Sequence, residues 1–173
     1  MGLRKVFRAP HLLLLLAACL CAAMVFAPIA YSMNFRSNIN VEVYGSWMQM
    51  ENLLEGATNK VQTIYFYEDF FVFVYAFLSA FAAGFLLFIL FLSRDNVQRT
   101  RRLVYANALL FLHIAWGLAI YFHASDSFGK IDPQYIESGF QREFMLHFFI
   151  LMFTWMAKVR YRKAGQLDLM VGS

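Results

Sequence analysis

His113, His123 and His147 lie inside or beside the later apolar runs. An imidazole placed there can ligate haem b or hold a quinone. Haem b held between helices takes two imidazoles at similar depth. At a rise of 1.5 Å per residue, His113 and His147 differ in depth by roughly 5 Å. They are the candidate haem or quinone ligands, with a neutral histidine bonded to a nearby carbonyl or hydroxyl as the plainer alternative. Asn107 lies about two turns from His113. Met48-Gln49-Met50 offers two soft thioethers of the kind copper(I) takes, but no Cys or His stands beside them. Glu68 and Asp69 form an acidic pair at the mouth of an apolar run. Cys19 and Cys21, two positions apart on a helix, point in different directions and do not pair. The sequence contains no Gly-rich phosphate loop, no metal-spaced Cys/His set and no nucleophile elbow, so no catalytic or metal residue is expected.

These residues sit in four apolar runs, Leu12–Tyr31, Phe70–Leu92, Val104–Phe122 and Phe144–Ala157. Apolar residues make up 61% of the 173, with 20 Phe, well above the half or so of a soluble domain. About 20 apolar residues as helix cross a bilayer, and backbone in lipid must bond to itself. The expectation is therefore an all-α membrane protein of one domain, 1–173, a bundle of four transmembrane helices. The fourth run is short and would be extended by Arg142 and Lys158 snorkelling at its ends. The central part of every run lacks Asp, Glu, Lys and Arg. Proton relays, charged-substrate transport and carboxylate catalysis use such residues, so an enzyme is not expected.

The N-terminus, the 93–103 connection and the C-terminus hold 11 of the 15 basic residues, against Asp95 and Asp168. The other two connections hold nine of the 11 acids. Positive flanks mark the cytoplasmic side, which predicts both termini in the cytoplasm and, for a bacterium, an inner-membrane protein. Because the basic residues cluster beside apolar runs and form no separate basic domain, nucleic acid is not an expected partner; lipid and other membrane subunits are. Leu16-Ala17-Ala18-Cys19 has the look of a lipobox, but the apolar run continues to Tyr31, as a span does. The start Met-Gly-Leu-Arg-Lys-Val lacks the hydroxyl residue of a myristoylation signal.

A long first outer loop, 32–69, contains strand-like Asn40–Gly45 and Lys60–Phe66, a short β-hairpin, with Trp47–Glu55 as one or two helical turns between them. The second, 123–142, reads as a structured loop. Ala76, Ala80 and Gly84 repeat at the spacing that lets helices pack closely, as do Ala18/Ala22 and Ala23/Ala27. Beside the first set runs a ridge of Phe73, Phe77, Phe81, Phe85 and Phe88, facing lipid or a partner. Pro28 would kink or end the first helix. Tyr65, Phe66, Tyr67 and Tyr75 suit one interfacial belt, and Trp155 with Tyr161 the other.

Two resemblances follow. Tyr44-Gly45-Ser46-Trp47, in a long strand-bearing first outer loop, is similar to the tryptophan motif of claudin-like proteins, which implies an adhesion or barrier role; their pair of loop cysteines is missing. The basic start, leucine run and Phe26-Ala27-Pro28-Ile29, with Phe91–Arg99, Arg102-Leu103, Asn107, Ala157–Arg160, Arg162-Lys163 and Leu167, resemble an uncharacterised family of small four-span bacterial membrane proteins, common in Bacteroidetes-type bacteria. That resemblance implies architecture and no activity. A quiet bundle of this kind is expected to be a non-catalytic accessory subunit of a membrane complex. The rival expectation is an electron-transfer anchor using His113 and His147.

Overall fold

The computed structural model describes residues 9–35, 39–52, 62–65, 68–129 and 136–171. The described chain is mostly helical, with four α-helices and a small antiparallel sheet. In order these are α1 (Ala9–Ala23), β1 (Pro28–Asn34), β2 (Ile39–Tyr44), β3 (Trp47–Asn52), β4 (Gln62–Tyr65), α2 (Phe70–Leu92), α3 (Asn96–Gly129), β5 (Ile136–Phe140), a 3-10 turn (Arg142–Met145) and α4 (Leu146–Val171).

The ends of α2 and α3 follow from capping. Asp69 Oδ1 accepts from the amides of Phe71 at 2.8 Å and Val72 at 3.0 Å, which supplies acceptors for the orphan donors of the first turn of α2. Asp95 does the same for α3, accepting from Gln98 N at 2.6 Å, while the Gln98 side chain accepts from Arg94 N at 2.9 Å. That exchange is close to a capping box. Between the two caps α2 carries no charged residue and is apolar but for Ser79, and its boundaries are those of the second apolar run.

Two helices, α2 and the Asn96–His123 part of α3, are long and apolar enough to cross a membrane. The expected first span, 12–31, is shorter than that. Helix α1 ends at Ala23 and residues 28–34 are strand β1. An unbroken apolar run does not distinguish a continuing helix from a buried strand, and Pro28 favours the break. The third run is embedded in a longer helix, Asn96–Gly129 in place of 104–122. The fourth, expected over 144–157, opens as a 3-10 turn and becomes α4 only at Leu146. It then continues past Ala157 through the charged segment 158–163.

The all-α expectation also gives way to a five-stranded sheet of order β4-β3-β2-β1-β5, every pair antiparallel. Asn40–Gly45 is strand as expected, and Gln62–Tyr65 lies within the expected 60–66. Trp47–Asn52, expected as helical turns, is strand β3, because pairing with β2 on one side and β4 on the other satisfies its backbone. Residues 53–55 of that expected helix lie outside the described residues. The expected loop 123–142 contributes the last turns of α3 and strand β5. Between Pro28 and Ala30 the β1–β2 register shifts, and this irregularity puts consecutive Ile29 and Ala30 both in the core.

The chain divides into two compact units, residues 1–22, 80–112 and 147–173 in one, and 23–79 and 113–146 in the other. The first is helical, with Leu14, Ala17, Ala18, Leu86, Leu103, Leu110 and Ile150 among its buried residues. The second contains the sheet, and buries Ile29, Val41, Val43, Val72, Tyr75 and Ile120. In it Gly45 N donates to Ala27 O at 3.0 Å, and a Cβ on Gly45 would overlap the Met24 carbonyl. Only glycine fits that approach. The turn it occupies is closed by Tyr44 stacked on Trp47, ring centroids 4.6 Å apart.

Candidate functional site

His113 is fully buried in α3. Its Nε2 lies 2.8 Å from Ser79 Oγ, and Ser79 donates its single hydroxyl proton to the Tyr75 carbonyl one turn earlier in α2, at 2.9 Å. With that proton committed, Ser79 Oγ is placed to accept from His113 Nε2. The Tyr75 ring covers His113 at 4.3 Å between centroids. One turn on, Gly117 admits Phe144: a Cβ there would lie 2.6 Å from Phe144 Cε2 and 3.4 Å from the Tyr75 ring. This arrangement is a packed polar contact. The His113 Nε2 is taken up by the bond to Ser79.

Tyr75 was expected at the interfacial belt and is instead in the core over His113. The other belt residues on that side, Tyr65, Phe66 and Tyr67, are outside the residues whose side chains are described. His147, on α4, is buried and belongs to the other unit.

Asp69 is more than a boundary carboxylate. Its Oδ1 caps α2, and its Oδ2 lies 3.1 Å from His123 Nε2. His123 stacks on Phe71 at 4.3 Å, and Trp116 Nε1 donates to Phe71 O at 2.9 Å. The cluster ties the start of α2 to α3. Glu68 beside it is exposed. Met48 is buried in the sheet, with Met50 further along the same strand. Among the described residues no three His, Cys, Asp or Glu side chains converge.

Of the expected packing residues, Ala76 is half-buried while Ala80 and Gly84 face outward. A Cβ on Gly84 would meet nothing within 4 Å. With Phe81, Phe85 and Phe88, Ala80 and Gly84 line a groove of about 540 Å³ on the surface of α2. Phe81, Phe85 and Phe88 run along it as parallel rings, 6.3 and 6.1 Å apart. Phe73 and Phe77 are exposed as well. Inside the molecule α2 packs instead through Ser79, Ala82, Ala83 and Leu86, all buried. In α1, Ala18 is buried and Ala22 and Ala23 are exposed; Ala27 lies beyond the helix.

A second polar constellation, unforeseen from the sequence, surrounds the end of α2. Arg99 is buried; its Nη2 donates to Ser93 O at 2.8 Å, and its guanidinium lies 5.5 Å from the Tyr161 ring. Arg102 donates to Ser93 Oγ at 3.0 Å and lies 4.6 Å from the Phe88 ring. A cation here answers the partial negative charge of the helix C-terminus. Tyr161, expected at the interface, is buried, with His11 edge-on at 5.5 Å. Burial pushes the Tyr161 phenol up to about 12, the Arg99 charge working in the opposite direction. The signal for this site was the Ser93-Arg94 break between apolar runs with Arg99 and Arg102 one and two turns on. Comparison with models of known protein families and with curated proteins finds no match.

Proposed function

We propose that this chain is a non-catalytic integral membrane protein, an accessory subunit that packs against other membrane proteins through the outward face of α2. The observation that carries the reading is the groove of about 540 Å³ along Ala80, Phe81, Gly84, Phe85 and Phe88. Small residues there let a partner backbone approach, and aromatic walls give it van der Waals contact where lipid gives no hydrophobic drive. In this reading α2 and α3 cross the bilayer, α1 and α4 complete a four-span bundle, and both termini are cytoplasmic in a bacterial inner membrane. The positive flanks support that orientation, and the likeness to the Bacteroidetes-type family the four-span plan. Helix α1, with 15 residues, and the apolar part of α4 are short for a span, so the bilayer would thin beside them. The bonded Nε2 of His113 speaks for structure over electron transfer.

A photo-crosslinking residue in place of Phe81 or Gly84 tests the proposal in cells. Adducts with another membrane protein, absent when the probe replaces exposed Leu112 on α3, are expected. Adducts with lipid alone would sink the accessory role. Reporter fusions at both termini test the orientation separately.

A second reading is a claudin-like adhesion or barrier protein. It gains from the sheet: four of the five strands come from the 28–65 stretch, and Tyr44-Gly45-Ser46-Trp47 forms the β2–β3 turn. Both cysteines lie in α1, so the sheet has no disulfide of that family. Cell–cell aggregation that depends on Trp47 would favour it over the accessory role.

A further inference from the structure

Between the start of α3 and the last turns of α4 lies a cavity of about 310 Å³ whose walls include Val97, Thr100, Arg101, Tyr161, Arg162 and Gly165. Its lining is divided in character. Val97, the Tyr161 ring and the bare Gly165 backbone form an apolar floor, while Arg101 and Arg162 are exposed at its rim. Gly165 keeps the floor open: a Cβ there would sit 3.4 Å from Val97 Cγ2, in ordinary contact, and anything longer would enter the cavity. Tyr161 is 1% exposed, and its hydroxyl has no hydrogen-bond partner among the described residues. The surrounding charge selects the ligand. Residues 94–112 and 147–171 of this unit carry Arg94, Arg99, Arg101, Arg102, Lys158, Arg160, Arg162 and Lys163 against two acids, Asp168 and Asp95, the latter committed to capping α3. Guanidinium groups match phosphate oxygens in a planar, two-point fashion. A phosphate at the rim with glycerol and acyl carbons against the floor uses both halves of the cavity.

We infer that this cavity is a binding site for the phosphodiester headgroup of an anionic phospholipid, held by Arg101 and Arg162 with its glycerol end on Val97 and Gly165. Basic pockets between membrane helices on the cytoplasmic side take such headgroups. The inference rests on the membrane reading above.

The test uses the full-length protein, extracted in mild detergent, exchanged into mixed phosphatidylglycerol–phosphatidylcholine micelles, and weighed intact by native mass spectrometry. One phosphatidylglycerol is expected to persist through activation that strips phosphatidylcholine. The Arg101→Gln/Arg162→Gln pair is expected to lower its retention about tenfold. Gly165→Leu, which keeps every charge and fills the floor, is expected to lower it too. Arg94→Gln/Arg160→Gln, removing the same charge elsewhere, is expected to leave it unchanged. Equal retention of the two lipids would overturn the inference, as would indifference to the Arg101/Arg162 pair or an equal loss in the control pair. Displacement of the lipid by millimolar inorganic phosphate would overturn it in favour of a free anion. Membrane extraction is scored first: a protein that leaves the membrane in high salt without detergent defeats the membrane reading itself, whereas an integral protein without selective lipid defeats this inference alone.

Discussion

Helix α2 carries small residues on two faces, and the two behave in opposite ways. On the inner face Ser79, Ala82 and Ala83 are buried and let the rest of the chain come close; Ser79 also bonds His113. On the outer face Ala80 is exposed, and a Cβ on Gly84 would meet nothing within 4 Å. The spacing of small residues is the same kind of signal on both, because it says that a backbone can approach and not whose backbone does. What separates them is the polar residue: the inner face has the one hydroxyl amino acid of Ser/Thr type in the helix, and a buried hydroxyl demands a fixed partner.

Substitutions along the two faces should sharpen or erase this contrast. The largest effect is expected opposite the inner face, at Gly117→Val, where the new side chain is forced into Phe144 and Tyr75; overpacking of this kind costs about 1–3 kcal/mol, read as a lower unfolding midpoint in detergent. Ser79→Ala removes the acceptor of the buried imidazole and should cost ~1–2 kcal/mol in the same assay. If Ser79→Ala proves neutral, the inner face is packing alone. At the start of the helix, Asp69→Ala should cost about 1 kcal/mol through the lost cap, and Asp69→Asn, which can still cap, should recover most of it. On the outer face Gly84→Ala should raise stability by roughly 0.5–1 kcal/mol through helix propensity, while a bulkier Gly84→Leu blocks the groove and weakens partner crosslinking. A loss of monomer stability from Gly84→Ala would erase the distinction between the faces.

The smallest effect is spectroscopic and lies away from both faces. The Tyr161 phenol ordinarily ionises at 10.0 and is pushed up to about 12. The folded state therefore favours the neutral form, so its stabilising share is intact below pH 10 and is lost as pH rises through 12. An ultraviolet titration should show a late-ionising tyrosine that Tyr161→Phe removes.

Much of this was legible from the residues, and what was not has a physical pattern. The bounds of α2 were readable because Asp69 and Ser93 bracket one apolar run. The strand at Asn40–Gly45 was readable from its alternation. Strand β3 was hidden because Met, Gln and Glu are good helix formers, and only its neighbours in the sheet hold it extended. Strand β5 was hidden because its partner is β1, far away in sequence. At the site His113 was legible as a polar residue in an apolar helix. Its partner was not: Ser79 is 34 positions away, and nothing local links the two.

The pairing of β1 with β5 has a consequence in time. Ser32 and Ser138 meet across these strands, hydroxyl to hydroxyl at 2.9 Å, with 106 positions between them. At a synthesis rate of roughly 5–20 residues per second, β1 emerges roughly 5–20 seconds before the strand that completes its second edge. During that interval both membrane-capable helices are made, and β1 has only β2 beside it. The sheet therefore closes only after both of those helices are made, and its closure joins an early and a late part of the chain into one folded unit.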